Sequence, residues 1–477
     1  MERRLSPLYR RTRLALAVCV LVATLNLPLH AATTPDFTQW QVAQGALNLQ
    51  WASLGENTNF VIQARASANP SIWLGTDTPW PITANSWAIT LGNEAPAQQF
   101  YRVMAVPKAE RGKLLASTPI TTVSAFLINL LLAQQGVTTV NAQYNVDVVK
   151  LTYETVGAWG ERTIASGVVA VPSAPGKSLP ILSYQHGTLS AKTEAPSANL
   201  QGETLIAAAF ASTGYLGVVA DYIGLGDSPG FHPYHHARSS ATACVDMTRA
   251  ARAYCANRGT SLNGQVFLAG YSEGGFVTMA FLKELEQYHT NEFTVTAAAP
   301  MAGAYDLSGV TSEDLLSGRV MPNPYYFAYT LYAYQSVYHV ANSFADMLAP
   351  PYNTTVPPKF NPDFNSSEVN ALLPGQVTFA LNPNFLQAFK TDPNHPLRQA
   401  LHDNDLYRWT PKSKLRLYHC SGDHDVVPAN SQVAYQSFLA RGATQVEFVD
   451  KLPGAGHGDC VLPSLLDAKA WFDTLRH

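Results

Sequence analysis

FLAGYSEGGF, residues 267–276, runs a short apolar segment into Gly270-Tyr271-Ser272-Glu273-Gly274 and straight on into a helix-like pattern. Residues 265–269 read as a strand before it and residues 276–288 as an apolar-periodic helix after it. A turn that tight tolerates only small residues two places before and two places after the serine. It holds the serine in a strained conformation, with Oγ projecting from the end of the strand. Gly and Ser are common residues, so a plain glycine-rich turn is the competing reading. The strand on one side and the helix on the other favour the special one.

The surrounding sequence supplies a sheet for that turn to stand on. NVDVVKLTYETV and RTIASGVVAVPS read as an antiparallel pair of strands. LPILSY, YLGVVA, QVFLAG, VTAAAP, KLRLYH and QVEFVD follow as buried-looking runs, separated mostly by helix-length segments. Apolar strands alternating with helices predict an α/β fold, a mostly parallel sheet with helices on both faces. In such sheets the active site lies at the C-terminal ends of the strands, where this chain carries its Gly- and Pro-rich turns.

An alcohol is a weak nucleophile at neutral pH, so Ser272 needs a base, and the base needs an orienting carboxylate. Of the 13 histidines, only His457 combines a glycine-rich loop, PGAGHGDC, with a place just after the last strand. The acid should follow the preceding strand, and HCSGDHDVVP offers two candidates, Asp423 and Asp425. Asp425 is favoured, standing three residues past Gly422 and directly before Val-Val-Pro; counting from the strand favours Asp423 instead. A metal site at Asp-His-Asp finds no matching ligand cluster elsewhere. A tetrahedral oxyanion needs two backbone N–H donors. Glu273, next to the nucleophile, supplies one, and Thr188 in SYQHGTLS is the candidate for the other.

Residues 140–477 therefore resemble the α/β-hydrolase superfamily. ADYIGLGDSPG, residues 220–230, looks like a recurrent turn of that superfamily. GDSPGFHPYHHA, GYSEGGF and the long insert after residue 305 resemble bacterial secretory-lipase-like esterases. The resemblance implies hydrolysis of carboxylic esters without a cofactor. The acid motif departs from the usual Asp-x-x-Val-Pro spacing, which keeps Asp423 and Asp425 both open. His232, His235 and His236 are expected to shape the loop near the site rather than to bind zinc. The insert, about residues 306–412, reads as a helical cap. Its tyrosine-rich stretch either walls an apolar acyl pocket or packs the cap's own core.

Residues 36–107 are organised differently, as short alternating segments (LNLQWAS, NFVIQARA, SWAITL, QFYRVMAV) punctuated by Asn, Gly and Pro. They read as a small β-sandwich resembling immunoglobulin-like or fibronectin-like modules, with the hydrolase domain beginning at about residue 112. Five of the eight tryptophans fall there, either filling the sandwich core or forming a platform for a polymer or surface ligand. At the N-terminus, five Arg precede an apolar run and LHAATT, the pattern of a secretory signal peptide over residues 1–31 with cleavage after Ala31 or Ala32. Cys19 lies inside that run, not just after a cleavage site, which speaks against a lipid anchor. Removing residues 1–31 takes away five Arg and one Glu and moves the net charge from −3 to −7. Neither value gives the basic field that nucleic acid requires.

An oxidising destination permits disulfides. Cys244 and Cys255 share one predicted helix, where eleven residues separate them by about 16 Å, too far to bridge. Cys420 ends the strand before the acid loop, and Cys460 follows His457 by three residues. Neighbouring strands would bring this pair within reach. The expectation is a secreted serine hydrolase of carboxylic esters with no transmembrane anchor in the mature chain. A serine peptidase of the same fold and an inert polymer-binding protein are the alternatives.

Overall fold

A computed structural model describes residues 34–66, 72–90, 99–199 and 202–477. The signal-peptide reading over residues 1–31, with Cys19, lies outside the described residues. Two three-stranded antiparallel sheets come first. One holds β1 (Phe37–Ala43), β2 (Ala46–Trp51) and β5 (Ser86–Thr90); the other holds β3 (Thr58–Arg65), β4 (Leu74–Gly75) and β6 (Phe100–Pro107). Leu47, Leu49 and Trp51 alternate inward from β2 and meet Phe60, Ile62, Val103 and Tyr101 in one core.

A nine-stranded sheet follows. Its strands are β7 (Leu114–Val123), β8 (Val146–Val156), β9 (Arg162–Pro172), β10 (Leu179–Gln185), β11 (Leu216–Ala220), β12 (Leu262–Tyr271), β13 (Thr294–Met301), β14 (Lys414–Tyr418) and β15 (Val446–Val449). Their spatial order is β15-β14-β13-β12-β10-β11-β9-β8-β7. Strands β10 to β15 run parallel, while β7, β8 and β9 pair antiparallel at one end. The α/β expectation is met, with helices on both faces. Along β12, Val266 and Leu268 enter the core beneath helices Ala237–Arg258 and Glu273–Tyr288, whereas Phe267 and Ala269 enter the opposite core with Phe210 and Phe472. Helix Ala237–Arg258 is capped by His236, whose ring accepts from the Ser239 N–H, and stops at Gly259, where φ is 75°. Edge strand β7 and the helix Ala125–Gln134 have no counterpart in the sequence reading.

Between β13 and β14 the chain builds a set of helices, the longest being Tyr325–Tyr338. Its tyrosines divide between the two expected roles. Tyr326 lines a cavity; Tyr329 and Tyr332 join Phe231, Phe360 and Phe364 in an aromatic cluster. The tryptophans of the first segment also mostly pack. Trp51 and Trp80 are buried, and the guanidinium groups of Arg65 and Arg102 each stand 4.5 Å from the centre of the Trp73 ring. Trp40, 51% exposed, is left over.

Trp80 docks the small sheets onto the large one. Its ring packs with Val61, Val106 and Ala109 against Val156, and its indole N–H donates to the Gly157 carbonyl at 3.3 Å. Beside it the Tyr288 hydroxyl donates to Asp77 at 2.9 Å, and Arg238 reaches both the Gly75 carbonyl and Asp403. Trp80→Ala should lower stability by about 3 kcal/mol, read as an earlier urea midpoint; an unchanged midpoint would mean that this contact contributes nothing.

Candidate active site

Ser272 sits between β12 and helix Glu273–Tyr288 with φ 61° and ψ −122°. A side chain bearing Cβ rarely adopts this region. Crowding explains why the chain accepts it. A Cβ on Gly274 would lie 2.0 Å from the Gln185 carbonyl oxygen, one on Gly275 2.2 Å from that of Met301, and one on Gly270 2.4 Å from that of Gly274. The helix thus starts pressed against the ends of β10 and β13, and the Ser272 N–H donates to the Met301 carbonyl at 2.9 Å. The sequence pointed to Gly270 and Gly274; Gly275 is a third position under the same constraint.

His457 Nε2 stands 2.9 Å from Ser272 Oγ, and His457 Nδ1 stands 2.6 Å from Asp423 Oδ2. A carboxylate oxygen accepts, so Nδ1 carries the proton and Nε2 is left to accept from the serine hydroxyl. The carboxylate on His457 is Asp423, which corrects the preference for Asp425. The reason is local. After β14 the chain turns at once, with the Asp423 N–H donating to the Cys420 carbonyl, so position 423 already faces the histidine. Two residues on, Asp425 faces the helical insert and accepts from the Asn323 amide at 2.8 Å.

Asp423 is buried and satisfied on every side. Its Oδ1 accepts the N–H groups of Asp425 and Val426 at 2.9 and 3.0 Å. Its Oδ2 takes the Nε2–H of His419 at 3.2 Å besides His457. The same Nε2 also faces the Val426 carbonyl, which only accepts; it must carry the proton, and Nδ1 accepts from the Ser431 hydroxyl. Burial alone would raise the Asp423 pKa, but the hydrogen bonds from His419 and His457 outweigh it and hold the carboxyl below the usual carboxylate range. His419 escaped the sequence reading, although its spacing of four from Asp423 in HCSGD was visible.

Two further links fix the histidine loop. The Tyr271 hydroxyl donates to the His457 carbonyl at 2.6 Å, and Cys420 is bridged to Cys460 with their Cα atoms 5.9 Å apart. Cys244 and Cys255 are free and buried. Gly187 approaches Ser272 closely, since a Cβ there would lie 4.0 Å from Ser272 Cβ. The Gly187 N–H is engaged by Glu203 at 3.3 Å, and the Thr188 hydroxyl pairs with Tyr234 at 3.0 Å. Glu273 opens its helix, so its N–H is one of the four that a helix leaves without an internal partner.

The three histidines of the 231–236 loop do separate work. His232 bridges the Ile223 carbonyl and the Glu273 carboxylate, His235 reaches a cavity wall, and His236 caps a helix. Among the described residues no cluster of three or more His, Cys, Asp or Glu could hold a metal ion, and no helix is long and apolar enough to cross a membrane. A cavity of about 90 Å³ opens from Ser272 toward the insert, lined largely by apolar side chains such as Leu307, Leu315, Phe327, Leu331 and Leu397.

Comparison with known proteins agrees with this architecture. Residues 189–314 match the family described as secretory lipase. The rice cell wall degrading esterase LipA from Xanthomonas oryzae is 31% identical, with a TM-score of 0.68, over 77% of this chain and all of that one. A putative hydrolase from Legionella pneumophila is 29% identical, with a TM-score of 0.70, over 76% of this chain and 98% of that one. Candida antarctica lipase A, 18% identical with a TM-score of 0.59 over 77% of this chain and 84% of that one, shares the fold. No curated protein sequence matches. With this identity over the whole length of LipA, and with the secretory lipase match across the serine turn, the chain belongs to the family of α/β-hydrolase esterases that includes LipA, and it is a carboxylic ester hydrolase.

Proposed function

We propose that the protein is a secreted serine esterase that works through an acyl-enzyme. The observation carrying this reading is the hydrogen-bonded line Ser272–His457–Asp423, with distances of 2.9 and 2.6 Å. His457 takes the hydroxyl proton as Ser272 attacks the ester carbonyl, and Asp423 stabilises the resulting imidazolium. The oxyanion forms against the N–H groups of Glu273 and Thr188; Thr188 is preferred to Gly187, whose N–H is already engaged. His457 then returns its proton to the departing alcohol, and a water activated by the same ring releases the acid.

The apolar lining of the cavity supports an acyl chain as the part of the substrate that it receives. The likeness to LipA, named as a cell wall degrading esterase, extends the candidates to plant wall esters. The small sheets of residues 36–107 we read as an accessory unit that braces the insert, since Arg238 joins Gly75 to Asp403.

Ser272→Ala should cut turnover of p-nitrophenyl hexanoate by roughly four to six powers of ten and abolish labelling by a fluorophosphonate; a variant keeping a tenth of the activity would rule the serine out. Asp423→Asn should cost about 10⁴-fold in kcat, whereas Asp425→Asn should cost less than about tenfold, and the opposite ranking would restore Asp425 as the acid. The depressed pKa also sets a stability window. Because the folded value lies below the unfolded one, about 3.9, the contribution is fully present above that pH and is lost as pH falls through the folded value. The Tm gap between wild type and Asp423→Asn should therefore be constant above about pH 5 and shrink below about pH 4, with scanning calorimetry across pH 3–7 as the check.

A further inference from the structure

Glu273 meets the reaction with its backbone and the protein interior with its side chain. Its N–H opens helix Glu273–Tyr288 and receives the oxyanion in the mechanism above. Its carboxyl group has no exposed surface. Oε1 stands 2.7 Å from His232 Nε2, and Oε2 is buried without a hydrogen-bond partner. Among the described residues His232 is the basic side chain in ion-pair contact with this carboxylate, and it too is buried. A buried carboxylate with so few donors is costly to keep ionised on its own.

The hydrogen-bond pattern fixes the proton count of the pair. His232 Nδ1 stands 2.7 Å from the Ile223 carbonyl, which only accepts, so Nδ1 carries a proton. Nε2 and a carboxylate oxygen do not meet at 2.7 Å as two bare acceptors, so one more proton lies between them. Whether it rests on the ring or on the carboxyl, the pair as a whole is neutral. The other titratable groups around Glu273 supply no such balance. Burial raises the pKa of Tyr222, Tyr234, Tyr325, Tyr326 and Tyr329, and it lowers that of His235 to about 4. All of them are uncharged at neutral pH.

Neutrality matters because of where the carboxyl sits. A Glu carboxyl carbon is four bonds, at most about 5 Å, from its own amide nitrogen. An oxyanion stands about 3 Å beyond that N–H. Two negative charges within about 8 Å, at an effective dielectric of about 20, repel enough to slow a reaction by roughly 30-fold. The start of the helix favours negative charge, and an ionised Glu273 would compete with the oxyanion for it. A buried carboxyl without a basic partner keeps its own proton at low pH and loses it as pH rises.

We propose that His232 is a positioning residue of the oxyanion hole, sharing the proton that keeps the His232–Glu273 pair neutral where the oxyanion forms. This rests on the esterase reading above. The test follows kcat for p-nitrophenyl hexanoate on the full chain from about pH 6 to about pH 9, corrected for spontaneous hydrolysis. Acylation and deacylation both pass through an oxyanion, so kcat reports whichever of them limits. His232→Gln can still donate to Glu273 but removes the shared proton. Its kcat relative to wild type should fall by roughly 30-fold from the acid to the alkaline end as Glu273 ionises. His232→Asn, which keeps a donor for the Ile223 carbonyl instead, should show the same fall. Adding Glu273→Gln to either variant removes the charge and should leave a ratio that does not change with pH. A purely structural role predicts a loss equal at every pH. Such a constant loss in both single variants overturns the proposal, and so does a fall that persists after Glu273→Gln. Should neither variant fold, the wild type decides: its kcat should stay level toward about pH 9, and a falling limb in the folded enzyme would show that the pair gives up its proton. If the wild type does not cleave the ester at all, the esterase reading falls; if it does, only the role of His232 is at stake.

Discussion

The backbone at Ser272 can hold φ 61° only because helix Glu273–Tyr288 begins in direct contact with the ends of β10 and β13. Three glycines allow that contact, and each would place a Cβ within 2.4 Å of a carbonyl oxygen if substituted by alanine. Everything else in the site is positioned relative to this junction. The turn aims Oγ away from the sheet, leaves the first helical N–H groups without internal partners, and delivers Tyr271 to the underside of the histidine loop. The strain is local and is borne by the packing of two strands and a helix, which is why so small a motif needs so large a sheet beneath it.

Asp423 shows the same economy in polar terms. A carboxylate has about four in-plane lone-pair positions, and here two backbone N–H groups and two histidine N–H groups occupy them. Such a group can be buried and remain ionised, so a fixed negative charge faces His457 with little freedom to turn. Asp425, with its contact to Asn323, belongs instead to the joint between the sheet and the insert. Exchanging these two carboxylates would disturb different things: the setting of His457 in one case, the wall of the cavity beneath the insert in the other.

The strands of the large sheet, the serine turn and the histidine loop were legible because each depends on local sequence: an apolar run, a glycine pair, a loop after the last strand. The choice between Asp423 and Asp425 was not, because it depends on how early the chain turns after β14, and within HCSGDHDVVP the count from the strand and the spacing from Gly422 and Val-Val-Pro point to different residues. Edge strand β7 carries Thr, Ser and Pro on exposed faces and so lacks the apolar pattern that announced its neighbours. Glu273 was read for its backbone alone. Its side chain acquires meaning only when His232, forty-one residues earlier, comes to meet it.

The bridge between Cys420 and Cys460 lies on the two stretches that carry Asp423 and His457. Both cysteines are buried in the core that covers one face of the large sheet. Beside the bridge, His457 is held by noncovalent contacts, its carbonyl accepting from the Tyr271 hydroxyl and its Nδ1 donating to Asp423. The covalent tie thus joins the two stretches whose side chains meet at 2.6 Å, so the spacing of Asp423 and His457 is held by the backbone as well as by a hydrogen bond.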